Sequence, residues 1–360
     1  MKKTNTLAKL NRFTKNSFLS YATVIIFYIV MSIMMSGGNL SSSFKGQLIP
    51  ICAYVVMAVS LNLTVGILGD LSLGHAGFMS VGAFAGAIAS QSLAFEGVES
   101  DSVRMLVAII VGIVIAAICG VIIGIPVLRL KGDYLAIVTL AFGEIIRDLL
   151  NCIYIGIDEN GLHFNVQSSD KLNLAQGGKV IVNGPLGATG ISKVSTFTAG
   201  IIFVLFTLFI VYNLTNSRAG RAIMSIRDNR IAAESVGINI TKYKMMAFVT
   251  SAALAGGAGA LYALNYSTVA SSKFDFNTSI LILVFVVLGG MGNIFGSVIS
   301  AAMLTVLPQV LREFRDYRML IYAIVLILVM IITNNDKLKD LKDTLTAKLF
   351  KKGNKKEAAK

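Results

Sequence analysis

Runs of apolar residues about 20 long, separated by short polar segments, recur along most of the chain. A helix rising about 1.5 Å per residue needs roughly 20 such residues to cross about 30 Å of hydrocarbon. The pattern predicts spans over 18–35, 48–67, 72–92, 104–128, 134–154, 196–214, 244–264, 277–290, 297–311 and 318–333, about ten in all. The expected fold class is therefore all-α, a polytopic transmembrane helical bundle. The pair 277–290 and 297–311 is short and joined by GGMGNIFG, so it reads either as two crossings or as one re-entrant element. Glycines four apart at Gly82 and Gly86, Gly120 and Gly124, and Gly292 and Gly296 are spaced for close helix approach in lipid. The first run is longer than a signal-peptide core and lacks a small-residue cleavage pattern, so it is expected to be a retained anchor.

Charge orients this threading. Of 360 residues, 55% are hydrophobic and 14% charged, and the mean hydropathy of +0.74 excludes a disordered chain and disfavours a soluble one. The net charge of +13 is concentrated at the two ends and between spans, which points to membrane orientation and lipid rather than to nucleic acid. Basic tails at 1–17 and 334–360 are expected in the cytoplasm, flanking a membrane domain at 18–333. Segment 93–103, with Glu96, Glu99 and Asp101, then falls outside, and Arg129, Lys131, Arg218, Arg221, Arg227 and Arg230 fall inside. REFRDYR, 312–318, is placed outside despite its three arginines. Two loops exceed ordinary connections: an external one at 155–195, holding Asp158, Glu159, His163 and Asp170, and a basic cytoplasmic one at 215–243.

Enzyme signatures are missing. The two histidines form no H-E-x-x-H, and neither G-x-S-x-G nor a phosphate-binding G-x-x-x-x-G-K-[ST] occurs. Cys52, Cys119 and Cys152 stand alone, so no metal, cofactor or disulfide framework is expected. If ATP powers this protein, another subunit must bind it.

Two places inside the predicted spans draw chemistry. Glu144, Arg147 and Asp148 share one span, and Glu144 sits ten residues past Tyr134, about halfway across. Glu144 and Arg147, three apart, form either a structural ion pair or part of a transport path. The second place is GDLSLGHAGF, 69–78. Its Gly69, Asp70, Ser72, Gly74 and His75 form a polar joint expected at or near membrane depth. Asp70 reads as an N-cap of the following helix or as part of a broken-helix path; His75 reads as a donor there or as a satisfied interior histidine. In the cytoplasmic loop a helix is expected from about Ala222 to Val236, ending at Gly237, to lie on anionic lipid or to dock a partner.

Four long stretches, in order, carry a family resemblance: GILGDLSLGHAGFMSVGA (66–83), KGDYLAIVTLAFGEIIRDLL (131–150), GRAIMSIRDNRIAAESVGINITKYKMMAFVTSAALAGGAGALYA (220–263) and SILILVFVVLGGMGNIFG (279–296). They resemble the M-type permease subunit of branched-chain amino acid ABC transporters. The resemblance implies an ABC importer permease fold that pairs with a second homologous permease subunit. It also implies two cytoplasmic ABC ATPase subunits, an external substrate-binding protein and a small amino acid as cargo. Alternatives are a same-family permease for urea or another small polar solute, and an ion-coupled secondary amino acid transporter. Arg221, Arg227, Asp228, Ala233, Glu234 and Gly237 are then expected to couple to the ATPases. One departure stands out: importer permeases often carry E-A-A, three residues, then G. Aligned on Gly237, this chain has Ile231, Ala232 and Ala233, with its glutamate at Glu234.

Overall fold

In a computed structural model of the protein, residues 3–37, 41–130, 132–175, 177–311, and 320, 323, 324 and 327 are described. The expected span 318–333 lies almost wholly outside them, as do Lys131, segment 312–318 and the tail 334–360. Residues 1–305 form one compact unit and 306–360 a second.

The first unit is a helical bundle. It contains α1 (Lys3–Ser36), α2 (Ser42–Asn62), α3 (His75–Phe95), α4 (Asp101–Val127) and α5 (Asp133–Asn151). After a small sheet come α6 (Phe197–Asn216), α7 (Arg218–Asp228), α8 (Arg230–Ser235), α9 (Ile240–Ala263) and α10 (Phe276–Gly289), with α11 (Ile294–Val310) beginning in this unit. Polar side chains mark most later helix starts: Thr196, Ser217, Asn229, Asn239 and Asp275 each accept a backbone N–H of the helix they open.

Seven helices among the described residues are long and apolar enough to cross a membrane: Ser17–Ser36, Phe44–Leu68, His75–Phe95, Asp101–Val127, Phe197–Asn216, Ile240–Ala263 and Ser271–Gly289. The other expected crossings divide three ways. The run at 134–154 is the charged helix α5, 297–311 lies in the shorter apolar helix Ile294–Gln309, and 318–333 is outside the described residues.

Helix α2 is buried almost throughout, and α3, α4 and α9 meet beside it backbone to backbone. A Cβ on Gly82 would lie 2.0 Å from the Gly256 carbonyl oxygen, and one on Gly259 would lie 1.9 Å from that of Met79. Gly86 and Gly112 face Ala260, and Gly120 faces Ala252, so the expected glycine spacing does bring helices together. In contrast, α1 and α4 expose rows of apolar side chains, among them Ile26, Ile33, Leu106, Ile118 and Ile122. Lipid is the solvent that suits such surfaces.

The expected all-α bundle is observed, and a small sheet is added to it. The loop after α5 folds into β1 (Tyr154–Asp158), β2 (Gly161–Asn165), β3 (Lys179–Asn183) and β4 (Ala188–Thr189), which β5 (Thr268–Val269) joins from beyond α9. The order is β2-β1-β3-β4-β5, antiparallel throughout. These strands have two to five residues, and β5 comes from a different loop, so hydropathy along the chain does not reveal the sheet.

The expected helix Ala222–Val236 is corrected. It breaks at Asn229, whose extended backbone (φ −156°, ψ 105°) ends α7 while its side chain accepts the Ala232 N–H at 3.0 Å to open α8.

Candidate functional site

The joint at 69–74 differs from its expected form. Helix α2 runs on through a π-helical turn, Leu63–Leu68, and stops at Gly69 with φ +85°. Phe44–Leu68 and His75–Phe95 are each long and apolar enough to cross a bilayer, so the joint lies between two candidate spans. Asp70 does not cap α3. That helix begins at His75 behind Gly74, with no side-chain cap, and the Asp70 carboxylate receives Lys244 Nζ of α9 at 2.5 and 2.8 Å. An ammonium within reach outcompetes a backbone N–H four residues away.

The start of α3 is held by hydroxyls of other helices. Leu73 N–H donates to Thr139 Oγ1 of α5 at 3.0 Å, and Ala76 N–H donates to Ser279 Oγ of α10 at 3.2 Å. Gly74 lies so close to α5 that a Cβ would come within 2.1 Å of the Thr139 carbonyl oxygen. His75 is buried and shares a 2.8 Å hydrogen bond between Nε2 and Ser60 Oγ of α2. Ser72 is buried too.

A platform stands where α7 and α8 meet. Ile226, Ala233 and Ile240 form a small core, with Ile238 and Tyr243 packed against it. Ala233, 3% exposed, therefore supports the platform from beneath. Ile231 and Val236 are 80% and 75% exposed, and Arg221, Asp228, Glu234 and Gly237 are exposed beside them. A bare Ile231 on the six-residue helix α8 and a bare Val236 at its C-cap are a candidate contact surface. The sequence sets Ile231 where importer permeases often carry the first residue of E-A-A, and Val236 at the end of the expected helix; their exposure follows only from the break at Asn229. Arg227, also exposed, divides its guanidinium: Nε and Nη2 donate to Asp228 Oδ1 at 3.2 and 3.1 Å, while Nη1 turns inward and donates to the Gly66 carbonyl at 2.9 Å.

Helix α5 carries the third constellation. Thr139 and Gly143 pack on α3, while Tyr134, Ile137, Ala141, Ile145 and Asp148 form an exposed face. Arg147 bonds Glu144 at 2.7 Å and Asp148 at 3.2 Å. The first pair is half-buried, each side chain 30% exposed, and Asp148 is 67% exposed. Half-buried Glu144 and Arg147, with the exposed Asp148 one position further along this 19-residue helix, do not suit lipid.

The small sheet centres on Asp158, whose buried carboxylate accepts N–H groups of Ala175 at 3.0 Å and Asn160 at 2.8 Å and bonds His163 Nε2 at 2.9 Å. The Ala175 N–H foremost, helped by Asn160 and His163, holds this carboxyl below the usual aspartate range. Among the described residues no group of three or more His, Cys, Asp or Glu is arranged to hold a metal.

Comparisons bear on what these surfaces serve. The family model described as branched-chain amino acid transport system / permease component matches residues 45–332. The high-affinity branched-chain amino acid transport system permease protein LivM of Salmonella typhimurium is 33% identical over 289 residues, covering 77% of this chain and 66% of that protein. The chain thus spans slightly under two thirds of the length of that relative. The ribose import permease protein RbsC of Escherichia coli is 27% identical over 290 residues, 78% of this chain and 81% of that protein. The fructose import permease protein FruG of Bifidobacterium longum is 25% identical over 313 residues, 82% and 83% of the two chains. No solved structure matches. With a membrane-type helical bundle and a family match over most of its length, the chain belongs to the branched-chain amino acid transport system permease family.

Proposed function

We propose that the chain is the membrane-spanning permease subunit of an ATP-driven importer of leucine, isoleucine and valine, in the cytoplasmic membrane of a bacterium or archaeon. Its partners are a second homologous permease, two cytoplasmic ATPase subunits and an external binding protein. The observation that carries this reading is the α7–α8 platform, which displays Ile231, Val236 and Glu234 over its own small core in a chain without a phosphate-binding loop. Both termini and the platform lie in the cytoplasm, so the sheet lies outside, where the binding protein delivers cargo. The charged flank of α5, with Glu144 and Arg147, lines the path between the two permeases. Closure of the ATPases moves the platform, and the bundle alternates its access.

The test is uptake of radiolabelled leucine into vesicles holding this chain with its partner subunits and binding protein. ATP-dependent uptake, competed by valine and isoleucine but not by ribose or urea, is expected. Competition by urea or ribose alone would change the cargo. Uptake by this chain alone, driven by an ion gradient, would replace the machine.

A further inference from the structure

Three elements grip the last turns of α2, within residues 62–70. Because the helix stops at Gly69, where the N–H groups of Gly69 and Asp70 both turn back to the Thr64 carbonyl, the Gly66 carbonyl is left without a continuing helical partner. Arg227 of α7 supplies that partner at 2.9 Å, and its stem lies on Gly69, where a Cβ would sit 2.5 Å from Arg227 Cγ. A guanidinium at a helix C-terminus is favoured by the helix dipole as well as by the hydrogen bond. One residue further, Asp70 ties the same end to Lys244 of α9. From the third side, Gly292 N–H in the α10–α11 turn donates to Asn62 Oδ1 at 2.8 Å, and Asn62 Nδ2 donates to Ser297 Oγ at 3.0 Å. Gly66 leaves no slack there: its Cβ would fall 2.2 Å from the Gly292 nitrogen.

We propose that Arg227 is a positioning residue and not part of the docking surface: it links the α7–α8 platform to the end of α2. Through Asp70–Lys244 and Asn62–Gly292 that end is linked in turn to α9 and to the α10–α11 turn. Displacement of α7 by a docked partner pulls on the Gly66 carbonyl, so the innermost helix of the bundle moves with the platform. The inference rests on the transport reading above and adds the route by which motion enters the membrane domain. It separates Arg227 from Glu234 and Val236, which resemble it in sequence position and differ in what they touch.

The experiment compares Arg227→Met with Val236→Asp in the reconstituted complex, reading two quantities: co-purification of the ATPase subunits and leucine taken up per ATP hydrolysed. Arg227→Met is expected to retain the ATPases while uptake per ATP falls roughly 5- to 10-fold, the low end of ordinary coupling between sites. Arg227→Lys, which keeps stem and charge without the forked donor, is expected to recover part of it. Val236→Asp is expected to lose the ATPases. If Arg227→Met releases the ATPases as Val236→Asp does, or transports with unchanged yield per ATP, the link is wrong. Should Arg227→Met fail to assemble, Asp70→Asn cuts the neighbouring tie without touching the platform; it must lower uptake per ATP with the ATPases retained, and unchanged yield overturns the proposal. A complex without substitutions that takes up no leucine would count against the transport reading instead.

Discussion

Single residues here act according to the partner that the fold brings them. Asp70 lies in the joint before α3 and Asp158 at the end of β1; one meets an ammonium and the other two N–H groups and an imidazole. Since the folded Asp158 holds its proton less tightly than the unfolded chain, its contribution to sheet stability is complete at neutral pH and is lost as pH falls through its depressed folded value. Asp158→Asn removes that pH dependence. Hydrogen exchange of the strand 154–158 amides, followed from neutral pH down through the acid range, is expected to show loosening in the parent protein that the variant lacks; equal loosening in both would refute the assignment. The sequence displayed Asp158 and His163 as candidates in one loop, yet their pairing follows from the β1–β2 hairpin, which sets Asp158 opposite Gly161.

At the scale of elements, the platform rests on few contacts of its own. Helix α8 has six residues, too few to be stable by propensity, and depends on the Asn229 cap and on Ala233 in the small core beneath it. Asn229→Ala should cost about 1 kcal/mol of local stability, which corresponds to about fivefold faster hydrogen exchange at Ala232 and its neighbours. Exchange unchanged by the substitution would mean that α8 is held by something other than its cap. The helical period of residues 222–236 was legible, and so was the stop at Gly237. The break was not, because Asn229 suits a helix interior poorly but is no certain breaker, and only the contact of Ile226 with Ala233 and Ile240 makes the bend worthwhile. Similarly, α5 was readable as a helix with charges midway. That its apolar positions 137 and 145 are exposed while Thr139 is buried and Gly143 packs on α3 depends on where α3 lies.

For the whole molecule, the packing of α3, α4 and α9 sets the frame. Gly259→Val drives a side chain into the Met79 carbonyl and is expected to destabilise the bundle by roughly 1–3 kcal/mol or more, seen as a lowered melting midpoint in detergent. Gly46→Ala, at a helical position with nothing within 4 Å, is the matched control and should leave the midpoint level or slightly raised. Equal effects would mean that close approach of these helices is not what the glycines serve. Hydropathy alone determined that this is a helical membrane protein, where most spans run, and which charged segments connect them, because each follows from the free energy of moving a local stretch between water and lipid. The four family stretches in the sequence pointed to the permease family that the comparisons support. Tertiary structure alone decided that Asp70 meets Lys244, that Arg227 turns inward to α2, and that strands from two distant loops share a sheet. Those outcomes join residues 79 to 174 positions apart, and no local preference of the chain encodes which distant partner the fold will bring alongside.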